Sequence, residues 1–569
     1  MCKVSVGILK LSISTLSILL LFSCDKTDSE LAPQIAPTEN AAQIAPPKKP
    51  NILLIVADDL GYTDLGVYGS EIDTPTLDAL ASGGTLLTNF HSGAVCSPTR
   101  SMLLSGTDNH LAGIGNMAEA MAPNQLGQPG YEGYLNFRVV SLPTLLKDAN
   151  YHTYMAGKWH LGLEEETSPL ARGFERSFAL LNGGGGHFND MGVELTRKKV
   201  PYREDKDLVA LPDDFYSTRT YTDKLIEYIS SNQGDGQPFF AYLAYTAPHW
   251  PLQAPDASIA KYKGKYDAGY DVIHAQRIVR MKDKGLLSDE ATIAPRLSGE
   301  PAWEELSPEQ KLREARMMEI YAAMVDDLDV NVKRVLDHLR EIDELDNTFI
   351  FFMSDNGAES APLHNWPVFG DWIKECCDNS YENMGKPNSY LYYGQNWGRV
   401  STGPFRAYKG YTSEGGIRVP AFANYPGLKE KGITNTNFAS VKDVMPTLLA
   451  LAGIQHPGNE YKGREILPMQ GVSLLPILNS EKDSVHSEDD WMGWEAFGRQ
   501  SITQGDWKLL LMEEPWGNGE WQLYNLENDP AEQYDLSSKE PDRMLTMIEF
   551  WNQYASENGI IPAEDGTVF

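Results

Sequence analysis

The sequence predicts an α/β protein: a mixed, largely parallel sheet flanked by helices, followed by a smaller C-terminal α+β domain with an antiparallel sheet. Three observations carry this: a continuous apolar run near residue 51, strand-like runs that alternate with helical periodicity, and a change of pattern beyond about residue 470. Asn51 to Ala57, rich in Ile and Val, reads as a strand buried on both faces. Thr74-Pro75 then starts a helix with Pro at its first position, Leu77, Leu80 and Ala81 share a face, and Gly83-Gly84 closes it. Further strands are expected at Tyr151 to Ala156, Phe239 to Tyr245, Thr348 to Met353 and Val419 to Asn424. Helices are expected at Ser141 to Ala149, Tyr221 to Ser230, Pro308 to Leu339 and Val441 to Leu451. Arg499 to Met512 and Glu520 to Leu526 read as antiparallel strands, and Glu540 to Glu557 as a terminal helix.

A chain of 569 residues exceeds what one simple core encloses, and its 42% hydrophobic content suits a folded protein. Residues 1–23 carry Lys3 and Lys10 and the apolar stretch Leu11 to Phe22, a signal peptide too short to span a membrane. Leu21-Phe22-Ser23-Cys24 resembles a bacterial lipobox, which implies lipid attachment at Cys24; ordinary cleavage near Ser23 is the alternative, and both export the protein. Residues 24–50 are rich in Pro and Ala and read as a tether, reaching up to roughly 80 Å if extended. Residues 51–470 then form the large domain and 471–569 the small one. A formal charge of −31 excludes a general nucleic-acid binder, which needs a basic surface. Five cysteines cannot staple so long a chain.

In open α/β sheets ligands bind beyond the carboxyl ends of strands, so the residues that follow each strand matter most. The first strand ends in Asp58-Asp59, the next in Lys158-Trp159-His160, another in Pro248-His249 and another in Ser354-Asp355-Asn356-Gly357. In extended chain the i, i+2 spacing of Lys158 and His160 places both cationic groups on one face. Taken singly, Asp58-Asp59 and Asp355-Asn356-Gly357 are also good turn sequences, and a lone histidine is usually structural. Their coincidence at strand ends points to hard oxygen ligands beside anion-seeking cations.

The segment His91 to Gly106 organises these groups. Ser97 suits an N-cap, Pro98 a first helical position and Gly106 a stop, so Cys96 stands just before a helix N-terminus, where an anion attached to it would be stabilised. Arg100 lies one turn in. A free cysteine before a helix is by itself more often a small buried residue.

Cys96-Ser97-Pro98-Thr99-Arg100 resembles the Cys-x-Pro-x-Arg signature of type I sulfatases, members of the alkaline-phosphatase-like superfamily in which this cysteine is oxidised to Cα-formylglycine. Asn51 to Gly61, Gly157 to Gly162, Ala247-Pro248-His249, Ser354 to Gly357 and Arg406 to Gly410 resemble family blocks in the expected order. Gly113 to Glu119, Gly130 to Tyr134 and Gly173 to Ser177 resemble the bacterial arylsulfatase branch, and Leu523 to Pro530 resembles the closing hairpin of sulfatase C-terminal domains. The resemblance implies that Asp58, Asp59, Asp355 and Asn356 bind a divalent cation, usually Ca²⁺. The all-oxygen set independently suits Ca²⁺ or Mg²⁺ and disfavours zinc. It also implies a maturation enzyme, either formylglycine-generating or anaerobic.

The implied reaction hydrolyses a sulfate monoester, aryl or carbohydrate, to alcohol and inorganic sulfate. A geminal-diol hydroxyl at residue 96 attacks sulfur and His249 protonates the leaving oxygen with help from Lys409. Lys158 holds the sulfate, Arg100 stands beside the diol, and His160 takes the second hydroxyl proton so that the hemiacetal expels sulfate. Splitting one difficult step into two is the advantage of covalent catalysis. Two alternatives stay open: a phosphonate or phosphodiester hydrolase on the same fold, and an inactive glycan-binding surface lipoprotein. Pro362 to Val400 lacks clear periodicity and is expected to wall or cover the site. The adjacent Cys376 and Cys377 are expected as free thiols. Gly183 to Gly186 with His187 lacks a nucleotide-loop context and reads as a mobile loop.

Overall fold

Ten strands build the principal sheet: β1 (Asn51–Asp58), β2 (Thr85–Leu87), β3 (His152–Lys158), β4 (Arg176–Leu180), β5 (Tyr202–Glu204), β6 (Asp207–Val209), β7 (Phe239–Pro248), β8 (Thr348–Ser354), β9 (Ala421–Asn424) and β10 (Ile433–Asn435). The computed structural model describes residues 48–194, 197–363 and 369–563. The expected signal peptide, Cys24 and the tether up to residue 47 lie outside the described residues. The strand order is β10-β2-β9-β8-β1-β7-β3-β4-β5-β6. The centre is parallel: β1 pairs with β7 and β8, and β3 with β7 and β4. The outer strand pairs β8–β9, β9–β2, β4–β5 and β5–β6 are antiparallel. Every residue of β1 is buried, as its unbroken apolar run requires.

The period of two along β1 divides the core. Leu53 and Ile55 face one hydrophobic cluster with Leu225 of α4 (Ser217–Ser231) and Leu328 of α5 (Pro308–Glu341). Ile52, Leu54 and Val56 face another, with Leu103 of α2 (Cys96–Ser105), Leu146 of α3 (Leu142–Asp148) and Leu448 of α8 (Val444–Ala452). The helix expected after Thr74 is α1 (Pro75–Ser82). At the start of α5 the Ser307 hydroxyl accepts from Gln310 N at 3.2 Å, and the Gln310 side chain accepts from Ser307 N at 2.8 Å.

The elements expected from the sequence are found within a few residues at their ends, but the short strands β2, β4, β5, β6 and β10 and the helix Tyr270–Asp283 were not expected, and the segment after residue 362 differs more. It carries two helices, α6 (Phe369–Cys376) and α7 (Gly394–Thr402), whose short lengths hid their periodicity. Cys376 and Cys377 are joined in a disulfide, contrary to the expected free thiols. The pair sits where α6 ends, with Cys376 its last residue and Cys377 already outside helical geometry, so the expectation drawn from adjacency alone does not hold there.

The C-terminal antiparallel sheet comprises β11 (Trp491–Ala496), β12 (Arg499–Gln504), β13 (Trp507–Leu511) and β14 (Gln522–Asn525), in sequential order and covered by α9 (Pro541–Asn558). It meets the first sheet's surroundings through an apolar cluster, in which Met492, Trp494 and Phe497 pack with Val95, Met117 and Ile417, and through buried polar bonds. Trp494 Nε1 donates to Ser92 O at 2.8 Å, and Lys508 Nζ bonds Glu414 at 2.8 Å and Glu532 at 2.9 Å.

Candidate active site

Asp58 closes β1, Lys158 closes β3, His249 follows β7, and Asp355 and Asn356 follow β8, so neighbouring parallel strands deliver these groups to one end of the sheet. Lys409, on the stretch of chain that precedes β9, reaches the same point through Asp59. Cys96 is the first residue of α2, with Val95 as N-cap and Gly106 stopping the helix in the left-handed region at φ 63°. The expected N-cap Ser97 instead lies inside the first turn, because the helix begins earlier than Pro98 suggested. Asp59 at φ 65° and His160 at φ 56° turn the chain sharply just beyond their strands. The extended i, i+2 spacing of Lys158 and His160 therefore does not hold, and the two side chains find separate partners.

Every catalytic and metal-site residue expected from the sequence converges here; Cys24, expected to carry lipid, lies outside the described residues. Lys158 Nζ bonds both Asp58 oxygens at 2.8 Å. Arg100 donates to Asp355 Oδ2 through Nε at 2.9 Å and Nη2 at 2.7 Å, and through Nη1 to Lys158 O at 2.9 Å. Lys409 Nζ lies 2.9 Å from Asp59 Oδ1 and 3.5 Å from Glu359 Oε2. The Asn356 amide donates to Asp59 Oδ1 at 2.7 Å. Cys96 Sγ is 3.5 Å from Asp58 Oδ1 and 3.8 Å from Asp59 Oδ1, and His249 Nε2 is 3.5 Å from Asp59 Oδ2.

Burial raises the Asp58 carboxyl, Lys158 opposes it, and Asp355 and Asp59 push it further, to about 7. For Asp59 burial acts the same way, but Lys409, His249 and Lys158 prevail and hold it low. Burial, reinforced by Lys409 and Lys158, drives the His249 imidazole well below its usual range, against the pull of Asp59. Burial also raises the Cys96 thiol, so an unmodified Cys96 is a poor nucleophile here.

The residues fit a divalent cation. Ligand atoms of Asp58, Asp59, Cys96 and His249 lie within 4.8 Å of one another, and the buried Asn356 Oδ1 has no hydrogen-bond partner. Four acids, Asp58, Asp59, Asp355 and Glu359, stand here against three cations, Lys158, Lys409 and Arg100. Carboxylates and an amide oxygen favour a hard cation.

Sequence reasoning assigned no role to several neighbours. Glu119, quoted above only as the end of a family-like block, accepts from His160 Nε2 at 3.0 Å. Burial raises this carboxyl, but the His160 interaction and Lys158 bring it down to about 2. With Nε2–H donated to an ionised Glu119, the buried His160 Nδ1 keeps no partner. The Gly183 to Gly186 run, expected as a mobile loop, packs on the site. A Cβ at Gly183 would come within 2.7 Å of His160 Cε1, and one at Gly184 within 3.1 Å of His249 Cε1. His187 supports His249 from behind, its Nε2 lying 2.9 Å from His249 O. Their only signal in the sequence was the run of glycines itself.

A cavity of about 730 Å³ opens from Cys96, and Pro362, Phe369 and Gln395 form part of its wall, as expected of the segment after residue 362.

Fold and site together define a class, the hydrolases of sulfuric esters built on an alkaline-phosphatase-like sheet, and the comparisons with known proteins agree. The Sulfatase family model matches residues 50–454, and the model of the N-sulphoglucosamine sulphohydrolase C-terminal region matches 405–549. An uncharacterized sulfatase of Schizosaccharomyces pombe is 45% identical over 533 residues, covering 92% of this chain and 96% of the relative. An arylsulfatase of Klebsiella aerogenes is 38% identical over 451 residues, covering 79% of this chain and 96% of the relative. Among solved structures, Ps i-CgsB aligns with a TM-score of 0.64 at 26% identity, over 90% of this chain and 94% of that one. The phosphonate monoester hydrolase of Agrobacterium radiobacter aligns at 0.53 and 18% identity, over 90% and 96%, which shows a shared fold alone. The chain belongs to the sulfatase family, and its activity is sulfate ester hydrolysis.

Proposed function

We propose that the protein is a formylglycine- and calcium-dependent sulfatase acting on a sulfated small molecule or glycan, exported and anchored through Cys24. The observation that carries the catalytic reading is Cys96 at the first turn of a buried helix, beside an acid cluster with surplus negative charge. Relatives support the substrate range: an arylsulfatase matches by sequence, and Ps i-CgsB has been solved in complex with k-i-k-neocarrahexaose. The export and lipid anchor rest on residues 1–24 alone.

Asp58, Asp59, Asp355 and Asn356 would hold the cation, which draws negative charge from the sulfuryl oxygens when bound. Formylglycine at position 96 would supply a hydrated aldehyde as nucleophile and, once sulfated, an exit by C–O cleavage. Lys158 and Lys409 bind sulfate oxygens with charge that water cannot screen. Arg100 holds Asp355 in place through two hydrogen bonds. His249 donates Nδ1–H to Trp250 O, so Nε2 faces the leaving oxygen and has a proton to give it only as the imidazolium, the form that Asp59 favours and Lys409 and Lys158 oppose. His160, with Nε2–H given to Glu119, keeps Nδ1 to accept a proton.

Peptide mass spectrometry of the segment containing Cys96 tests this reading. The expected result is loss of sulfur and gain of an aldehyde in protein that releases sulfate; an intact thiol in equally active protein overturns it.

A further inference from the structure

The cavity beyond the acid cluster differs in character from the cluster itself. Its walls come from distant parts of the chain: Trp250 after β7, Phe369 of α6, Tyr408 and Tyr411 beside Lys409, and Trp516 from the connection between β13 and β14. Trp516 packs edge-on against Tyr408 at 5.5 Å, and Trp250 lies 5.7 Å from Tyr390, so these rings are fixed surfaces. Met117, Leu163, Val193 and Leu297 fill the intervals with aliphatic surface.

The charged side chains on these walls are already committed. Lys409 is held by Asp59 and Glu359. Arg499, only 2% exposed, donates to Glu513 at 2.9 Å and to Gly410 O at 2.6 Å, and its guanidinium lies 3.8 Å from the Tyr411 ring centre. The two acids of the wall, Glu119 and Glu359, are the partners of His160 at 3.0 Å and of Lys409 at 3.5 Å. The Gln395 amide, a natural partner for a sugar hydroxyl, is given to Tyr408 Oη at 2.8 Å. A second sulfate or a carboxylate on the leaving group would thus sit beside two acids with no cation in reserve among the described residues. An apolar ring system would instead cover aromatic surface in a cavity of about 730 Å³, enough for a leaving group of drug-like size.

We propose that the substrate is the monosulfate ester of a neutral, ring-bearing, hydrophobic alcohol or phenol, and that Glu119 and Glu359 select against polysulfated or carboxylated sugars. This rests on the sulfate-ester reading and names its leaving group.

Three esters that share a primary sulfate test it, with release from that position followed: cyclohexylmethyl sulfate, glucose 6-sulfate and glucose 3,6-disulfate; the sugar alkoxide is intrinsically the better leaving group, so a preference for the cyclohexyl ester reports the cavity. The expected order of kcat/KM is cyclohexylmethyl first, by roughly 10- to 100-fold over glucose 6-sulfate, with the disulfate last. Trp516→Ala is expected to raise KM for the cyclohexyl ester and leave the sugar esters nearly unchanged. Glu119→Gln is expected to lower turnover of all three but to narrow the gap between the disulfate and glucose 6-sulfate. Preference for either sugar ester, or a gap indifferent to Glu119→Gln, overturns the inference while leaving a working sulfatase. Release of sulfate from none of them, nor from phenyl sulfate, would count against the sulfate-ester reading instead. Calorimetric affinities of the same esters for the Cys96→Ala protein then decide the leaving-group order independently of turnover.

Discussion

Two buried ion clusters in this molecule look alike and behave oppositely. At the strand ends four acids, Asp58, Asp59, Asp355 and Glu359, meet three cations, Lys158, Lys409 and Arg100; at the joint with the C-terminal sheet Glu414 and Glu532 meet Lys508, Arg418 and Arg406, with His91 beside Glu414. Burial raises Glu414, yet Lys508 and His91 hold it well below the usual carboxylate range. Burial raises Asp58 too, and there the result is about 7, although Lys158 lies 2.8 Å from both oxygens. The difference is the acid neighbours of Asp58. The joint cluster is electrically closed and works as a fastener, whereas the strand-end cluster retains negative charge and an unpartnered Asn356 Oδ1, the mark of a place that receives a cation.

The largest expected effect breaks the closed cluster. Lys508→Met leaves Glu414 and Glu532 buried without their shared cation, and urea unfolding should show a loss of about 3–5 kcal/mol. An unchanged midpoint would mean that the joint is not held by charge. A smaller effect is pH-dependent. His110 sits between Asp108 at 2.9 Å and Glu495 of β11 at 3.7 Å; burial lowers its pKa, but both acids raise it, to about 9. A raised folded-state pKa gives stability that is full below the unfolded value near 6.5 and lost as pH rises through about 9. The advantage in unfolding free energy of the native protein over His110→Gln, on the order of 3 kcal/mol near pH 6, should therefore vanish by about pH 10. A constant difference across that range would show that His110 is not charged in the fold.

The contrast between the clusters also explains what could be read in advance. Asp58, Lys158, His249 and Asp355 were legible because each stands at the end of an apolar run whose burial the sequence dictates, and parallel strands bring such ends together. Cys96 and Arg100 were legible through a local motif that starts a helix. Glu414 and Lys508 were not, since 94 residues separate them and no local pattern marks either. Glu119 lies in a single 3₁₀ turn without periodicity, and its role appears only when the turn at His160 aims the ring at it. Trp516 belongs to a connection of the C-terminal sheet, so its place in the cavity wall depends on how that sheet docks. The Cys376–Cys377 disulfide ran against the expectation from adjacency; the pair sits where α6 ends.

The account turns on the surplus negative charge at the strand ends, and thermal unfolding of chelator-treated protein titrated with Ca²⁺ or Mg²⁺ measures it most directly. The account predicts saturable stabilisation, about 2.7 kcal/mol at a hundredfold excess over Kd, that is lost in Asp58→Ala. Unfolding that neither cation shifts in the native protein, or a shift that Asp58→Ala retains in full, would contradict it.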